Sequence, residues 1–155
     1  MADIGNRVLP PAQLFDSNGN LYTPTNGLPI AEQVYPSAAG PASPVNGAAA
    51  AANASNVATL AGVAAKTTYI SGVQVTGAGA TAASVQTLTL AGLAGGTLTY
   101  QVPVPAGAAV GIQPLVIQFC PPLPASAQAT AITATLSAFG AGNTNAAVCA
   151  QGFQV

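Results

Sequence analysis

The sequence predicts an all-β protein, an antiparallel β-sandwich (jelly-roll-like) that follows an extended N-terminal arm. Short segments in residues 66–155 alternate Val, Leu, Ile and Tyr with Thr, Ser and Gln, which is the period of strands that bury one face. Clusters of Gly, Pro, Ala and Asn separate these segments, as turns between antiparallel strands do. The first 35 residues differ, since they hold four of the chain's five charged side chains and four prolines.

Composition divides the chain into three parts: an arm at 1–35, a linker at 36–53 and the sandwich domain at 54–155. The linker, PSAAGPASPVNGAAAAAN, has no aromatic and no charged side chain, a composition typical of flexible connections. The arm's large apolar residues follow no helical period, and its prolines interrupt helix and sheet hydrogen bonding. One hairpin is predicted in the arm, about the turn signal DSNGN at 16–20.

Seven strands are predicted in the sandwich, each bounded by turn residues. In chain order they cover 57–60, 67–76, 84–93, 97–104, 110–119, 130–138 and 146–155. One helical turn is the alternative for the first. The prolines at 103 and 105 place the fourth strand at a sheet edge, or end it there, and the run Pro121-Pro122-Leu123-Pro124 is expected to end the fifth. Jelly-roll and immunoglobulin-like topologies are not separated by the pattern.

The side-chain pattern also predicts which faces are buried. Tyr69, Val73 and Val75 are expected on one face of the second strand with Ile70 on the other, and Gly72 predicts a bulge or close packing there. The core face of the last strand is open between Val148 and the set Cys149, Phe153 and Val155.

The near absence of charge limits the partners. Charged residues make up 3% of the chain, against about 25% in ordinary soluble proteins. With only Arg7 and Lys66 as cations, a basic patch for nucleic acid cannot form. No run reaches the roughly 18 apolar residues of a membrane-spanning helix, so no membrane association is expected. Little charge leaves little repulsion between copies, which favours an assembly over a free monomer.

Residues that could do chemistry are scarce, so no enzyme is expected. The chain has no His, which removes Ser-His-Asp and Cys-His arrangements. Its carboxylates, Asp3, Asp16 and Glu32, all lie in the arm. Two cysteines are too few for zinc. We therefore predict no catalytic, cofactor-binding or metal-binding residue. Cys120 and Cys149 are expected to be free, buried thiols, since residues 1–11 lack the apolar core of a signal peptide. A disulfide between them is the alternative, because the last strands of a sandwich can lie side by side.

The apolar side chains of the arm are the candidate partner-binding residues, because such a segment buries its own aromatics poorly. The residues are Leu14, Phe15, Leu21, Tyr22, Leu28, Ile30 and Tyr35. They are expected to lie on a partner surface, and an arm that packs back on its own sandwich is the alternative.

Three stretches carry a resemblance: LAGVAAKTTYISGVQVTGAGATAAS (60–84), AGGTLTYQVPVPAGA (94–108) and GAGNTNAAVCAQGFQV (140–155). They resemble a type of small protein encoded among the structural genes of tailed bacteriophages. Related β-sandwiches with an N-terminal arm are capsid decoration (cement) proteins. The resemblance implies a homo-oligomer, with a trimer favoured, that is made in the host cytoplasm and clamps the major capsid protein at the virion surface.

Two other functions remain open at this point. A head-fibre, tail or baseplate accessory domain that binds host surface glycans would be favoured by exposed aromatic side chains on the sandwich. A cellular adhesion module is the third, and the absence of a secretion signal counts against it.

Overall fold

The computed structural model describes residues 42–155, in which eight strands and no helix occur. The strands are β1 Ser43–Ala51, β2 Asn56–Leu60, β3 Thr68–Gly77, β4 Ser84–Ala91, β5 Leu98–Val104, β6 Leu115–Pro124, β7 Ile132–Leu136 and β8 Ala146–Gln154. They form two four-stranded antiparallel sheets. The all-β sandwich prediction is therefore confirmed, whereas the arm lies outside the described residues.

The strand order is that of a jelly roll. One sheet, which we call the β1 sheet, has the order β1-β8-β3-β6, and the other, the β2 sheet, has the order β2-β7-β4-β5. The ladders β1–β8 and β3–β6 lie in one sheet, and β2–β7 and β4–β5 lie in the other. A ribbon of four antiparallel strand pairs thus wraps alternately across two sheets, as in the eight-stranded jelly-roll architecture.

The core lies between the two sheets and is made almost entirely of aliphatic side chains. Its largest fully buried apolar residues are Phe139, Leu60, Ile70, Leu88, Leu90, Ile132, Leu136, Val75, Val102, Val104 and Val148. At about 25 cal/mol per Å² of apolar surface removed from water, this burial is the main favourable term for folding. Every strand of the β2 sheet, together with β3 and β8, contributes at least one of these side chains.

The predicted linker over 36–53 is wrong where the structure describes it, because Ser43–Ala51 forms strand β1. All nine residues pair with β8 in an unbroken register, from Ser43 opposite Gln154 to Ala51 opposite Ala146. The sandwich thus includes Ser43–Ala51 and does not begin at 54. This strand could not be recognised in the sequence because small residues, mostly Ala, occupy both of its faces, so polar and apolar side chains do not alternate along it. Gly and Ala also have low strand propensity.

The bulge predicted at Gly72 is confirmed, but the faces predicted for β3 are wrong. The register shifts between Ile70 and Gly72 against both neighbouring strands. An extra residue reverses the alternation, so fully buried Ile70 joins Val73 and Val75 in the core. Tyr69 therefore points to the outer face of the sheet.

Strand β6 was predicted over 110–119 but runs over Leu115–Pro124, so the proline-rich segment continues the strand instead of ending it. This is tolerated because β6 is the edge strand of the β1 sheet, where a missing N–H that points away from the ladder costs no hydrogen bond. The edge position predicted for the strand with Pro103 is confirmed, since β5 is the edge of the β2 sheet. In β8, Val148 is buried and Cys149 faces outward.

Candidate interaction surfaces

Groups that could perform chemistry are sparse in the described part of the chain. Lys66 is its only charged side chain, and its Nζ donates to the Ser43 Oγ at 3.3 Å. Residues 42–155 contain no cluster of three or more His, Cys, Asp or Glu side chains that could hold a metal ion. No helix long and apolar enough to cross a membrane occurs in this part. The candidate functional sites of the sandwich are therefore surfaces.

The outer face of the β1 sheet is an uncharged surface of small apolar and amide side chains. Its strands present Pro44, Asn46, Ala48 and Ala50 from β1, Ala147, Cys149, Gln151 and Phe153 from β8, Tyr69, Gln74 and Thr76 from β3, and Val116, Gln118 and Cys120 from β6. A shallow depression of about 360 Å³ on this face is lined by Ala48, Gln74, Ala147 and Cys149, among others. This surface suits a flat, uncharged partner.

A row of rings crosses the same face. The register places Pro44 opposite Phe153, Phe153 opposite Tyr69, and Tyr69 opposite Pro124. The Tyr69 and Phe153 rings are stacked, with centroids 5.2 Å apart and an interplanar angle of 9°, a spacing at which aromatic pairs add to stability beyond area burial. Both aromatic side chains are half-buried, so part of the row remains accessible.

The outer face of the β2 sheet differs because threonine dominates it. It carries Thr59 from β2, Thr133 and Thr135 from β7, Thr87 and Thr89 from β4, and Thr99 from β5. Thr89 lies opposite both Thr135 and Thr99 across three neighbouring strands. Threonine hydroxyls on this face can hydrogen-bond to water. The outer face of the β2 sheet is therefore more hydrophilic than that of the β1 sheet and less suited to an apolar partner.

The two flanks of the sandwich also differ. At the β1–β2 flank the sheets come close together, since a Cβ on Gly47 would overlap the backbone of Thr59. At the β5–β6 flank a groove of about 710 Å³ is lined by Pro103, Pro105, Pro114, Val110 and Val116. The last two side chains are 49% and 56% exposed. The sandwich is thus closed on one flank and open on the other.

Buried Asn143 joins three connections at one end of the sandwich. Its Nδ2 donates to the carbonyl oxygens of Ala78 at 2.7 Å, Gly79 at 3.2 Å and Asn145 at 3.1 Å. Its Oδ1 accepts from the Asn53 amide at 3.2 Å. The β1–β2, β3–β4 and β7–β8 connections are therefore tied to a single side chain, which gives this end a fixed shape.

The expectation of buried thiols is wrong, because Cys120 and Cys149 are both free and exposed on the outer face of the β1 sheet. Cys149 lies opposite Gln74, which lies opposite Val116, four residues before Cys120. The two cysteines are therefore two strand spacings apart across the sheet and four residues apart along it, which places their Cα atoms about 16 Å from each other. A disulfide requires Cα atoms within about 7 Å, so this fold excludes an intramolecular bridge.

The partner-binding residues predicted from the sequence, Leu14, Phe15, Leu21, Tyr22, Leu28, Ile30 and Tyr35, lie outside the described residues and stay predictions. Sequence reasoning missed the surfaces of the sandwich itself. The one available signal was the absence of charge after Lys66, which shows that the surface is uncharged but not where its faces lie.

No protein-family model matches the chain, and the searches of curated proteins and of solved structures found no significant match. The phage resemblance therefore remains an expectation from the sequence.

Proposed function

We propose that this chain is a structural virion protein of a tailed bacteriophage, a capsid decoration (cement) protein that binds and stabilises the head shell. The observation that carries the proposal is a jelly-roll sandwich whose described surface holds a single charged side chain, Lys66. Jelly rolls recur in viral capsid and lectin domains, so the fold supports a virion role by analogy only.

The uncharged faces support a role in assembly. A surface without charge repels neither copies of itself nor an uncharged partner, and burying it against another protein requires no charge to be stripped of water. The sandwich would act as a rigid block, and the arm would bury apolar side chains such as Phe15 and Tyr22 on the major capsid protein. Several such anchors in an oligomer bind together more tightly than one alone.

The oligomeric state is part of the proposal. The phage resemblance implies a homo-oligomer and favours a trimer. The mass of the protein in solution tests the number of copies independently of binding to the capsid.

Binding to heads is the direct test. Heads are prepared from a phage that lacks this gene, mixed with the purified full-length chain, and pelleted. We expect the chain to pellet with the heads at a saturable ratio and to raise the temperature at which they release DNA. A chain that stays in the supernatant at every concentration contradicts the proposal.

A second function is favoured by one observation, the stacked Tyr69–Phe153 pair on the outer face of the β1 sheet. Amide side chains of Asn46, Gln151 and Gln118 form the neighbouring row, and amides with aromatic rings suit an uncharged glycan. A head-fibre, tail or baseplate accessory domain would use such a site. Calorimetry with neutral oligosaccharides tests it, and Tyr69→Ala should abolish any binding found.

A further inference from the structure

Strand β1 is a long sheet edge without the usual protection against pairing. It runs for nine residues, pairs on one side with β8 throughout, and has no bulge. No strand of residues 42–155 pairs with its other side. Apart from Pro44 at its beginning, it contains neither proline nor charge. A flat, uncharged edge of this length presents a row of backbone N–H and C=O groups to a further strand.

The other three edges of the sandwich are less suited to such pairing. Strand β2 has only five residues. Strand β5 has seven and contains Pro103, and β6 ends in a segment with Pro121, Pro122 and Pro124. Short strands and prolines are common protections of natural sheet edges. Protection is therefore present at three edges and missing at one.

The occupant that best fits the edge is the β1 strand of a second copy. Residues 45–51 of β1 form a seven-residue stretch free of proline and of charge. In the arm, the nine proline-free residues 1–9 carry the charges of Asp3 and Arg7, and the longest other proline-free stretch without a turn signal is the six residues 30–35. Charged side chains and prolines both oppose addition to a sheet edge. Gly47, Ala48 and Ala50 are small and uncharged, so no like charges would face each other between two β1 strands at the normal spacing of about 4.8 Å.

The position of Lys66 selects an antiparallel arrangement. Its Nζ bonds the Ser43 Oγ, so the positive charge lies at the start of β1. Antiparallel pairing puts the two Lys66 side chains at opposite ends of strands about 30 Å long, far beyond the screening length of about 8 Å at physiological salt. Parallel pairing would bring the two charges together.

We propose that two copies of this chain pair through β1, antiparallel and about a two-fold axis, so that the two β1 sheets join into one continuous eight-stranded sheet. The contact is isologous, because the same strand serves both copies. The inference does not depend on the proposed capsid role.

The test compares the masses of full-length variants by sedimentation velocity over a range of concentrations. Ala48→Lys with Ala50→Lys adds charge to exposed outer-face positions of β1, which leaves the core untouched. Lysines on an edge strand oppose pairing, and like charges across a strand pair destabilise it. We expect a wild-type dimer and a rise of at least about tenfold in the dimer dissociation constant of this variant.

The matched control is Val116→Lys with Gln118→Lys, which adds the same charge to the same face on the opposite edge strand, β6. We expect this variant to dimerise like wild type, and both variants to unfold at similar temperatures. A wild-type monomer or trimer overturns the proposal. The proposal is also overturned if the β1 variant dimerises as tightly as wild type, or if the β1 and β6 variants weaken the dimer equally.

Cross-linking gives a second readout that does not require the dimer to be broken. In a chain with Cys120→Ser and Cys149→Ser, single cysteines are introduced at Asn46, Ala48, Ala50 or Val116. Mild oxidation should cross-link two copies strongly at the β1 position nearest the two-fold axis and not at Val116. Equal cross-linking at Val116, or none at any β1 position, overturns the proposed pairing.

Discussion

Gly47 of β1 packs directly against the backbone of Thr59 of β2, and a Cβ on Gly47 would lie only 2.7 Å from the Thr59 nitrogen. This distance is shorter than van der Waals contact, so a Cβ at this position would overlap the Thr59 backbone. The absence of a side chain at Gly47 is therefore what lets this flank of the jelly roll close.

Substitution of Gly47 should destabilise the fold. Gly47→Ala is expected to lower the free energy of unfolding by about 1–3 kcal/mol through overpacking against backbone that cannot move aside, and Gly47→Val by more. Denaturant unfolding measures both. The control is Gly95→Ala, since a Cβ on Gly95 would have no atom within 4 Å. If Gly47→Ala is as well tolerated as Gly95→Ala, the flank is not closely packed.

Removal of the Asn143 side chain should loosen one end of the sandwich. Asn143→Ala removes a donor from the carbonyls of Ala78, Gly79 and Asn145 and an acceptor from the Asn53 amide, although the Asn145 carbonyl keeps its bond from the Ala78 amide. We expect a loss of about 2–3 kcal/mol in stability, because buried polar groups lose hydrogen bonds that water does not replace. Asn145→Ala removes only an exposed side chain and should change stability by less than about 0.5 kcal/mol. Equal effects of the two substitutions on thermal unfolding would exclude Asn143 as a clamp.

Both thiols should react in the native protein. Because Cys120 and Cys149 are exposed, a thiol reagent is expected to modify two groups per chain without denaturant, and one group in the Cys149→Ser variant. Non-reducing electrophoresis should show no intramolecular disulfide, since the two residues lie too far apart. A thiol that reacts only after unfolding would place that cysteine in the core and contradict the face assigned to its strand.

Deletion of residues 1–35 should separate folding from capsid binding. Both described sheets begin at or after Ser43, so the shortened chain is expected to retain its β-type circular dichroism and a cooperative unfolding transition. Without the apolar residues of the arm, we expect it no longer to pellet with phage heads. A matched full-length variant, Phe15→Ala with Tyr22→Ala, should lose most of the binding. Normal decoration by the shortened chain would refute the role given to the arm.

Much of the sandwich could be predicted from the sequence because burial of one face imposes a period of two on apolar side chains. Strands β4, β5 and β7 show this, since apolar residues alternate with Thr or Gln over residues 87–90, 98–102 and 132–136. Strand β1 could not be predicted, because a run of Gly and Ala has the same pattern on both faces. The proline run of β6 wrongly predicted the end of that strand. Proline interrupts a strand that has neighbours on both sides but is tolerated in an edge strand, and the local sequence does not show which of these β6 is.

The sequence by itself determined an all-β domain, an almost uncharged surface and an N-terminal segment of different composition, because these follow from residue types and local periodicity. The tertiary structure decided the jelly-roll order and the membership of β1. It also decided the outward positions of Tyr69 and Cys149 and, among the strands of residues 42–155, the existence of one unprotected edge. All of these features depend on which strands pair and on the bulge at Gly72, which reverses the faces of β3. The alternation of residues along one strand does not show which strand it pairs with or in which register.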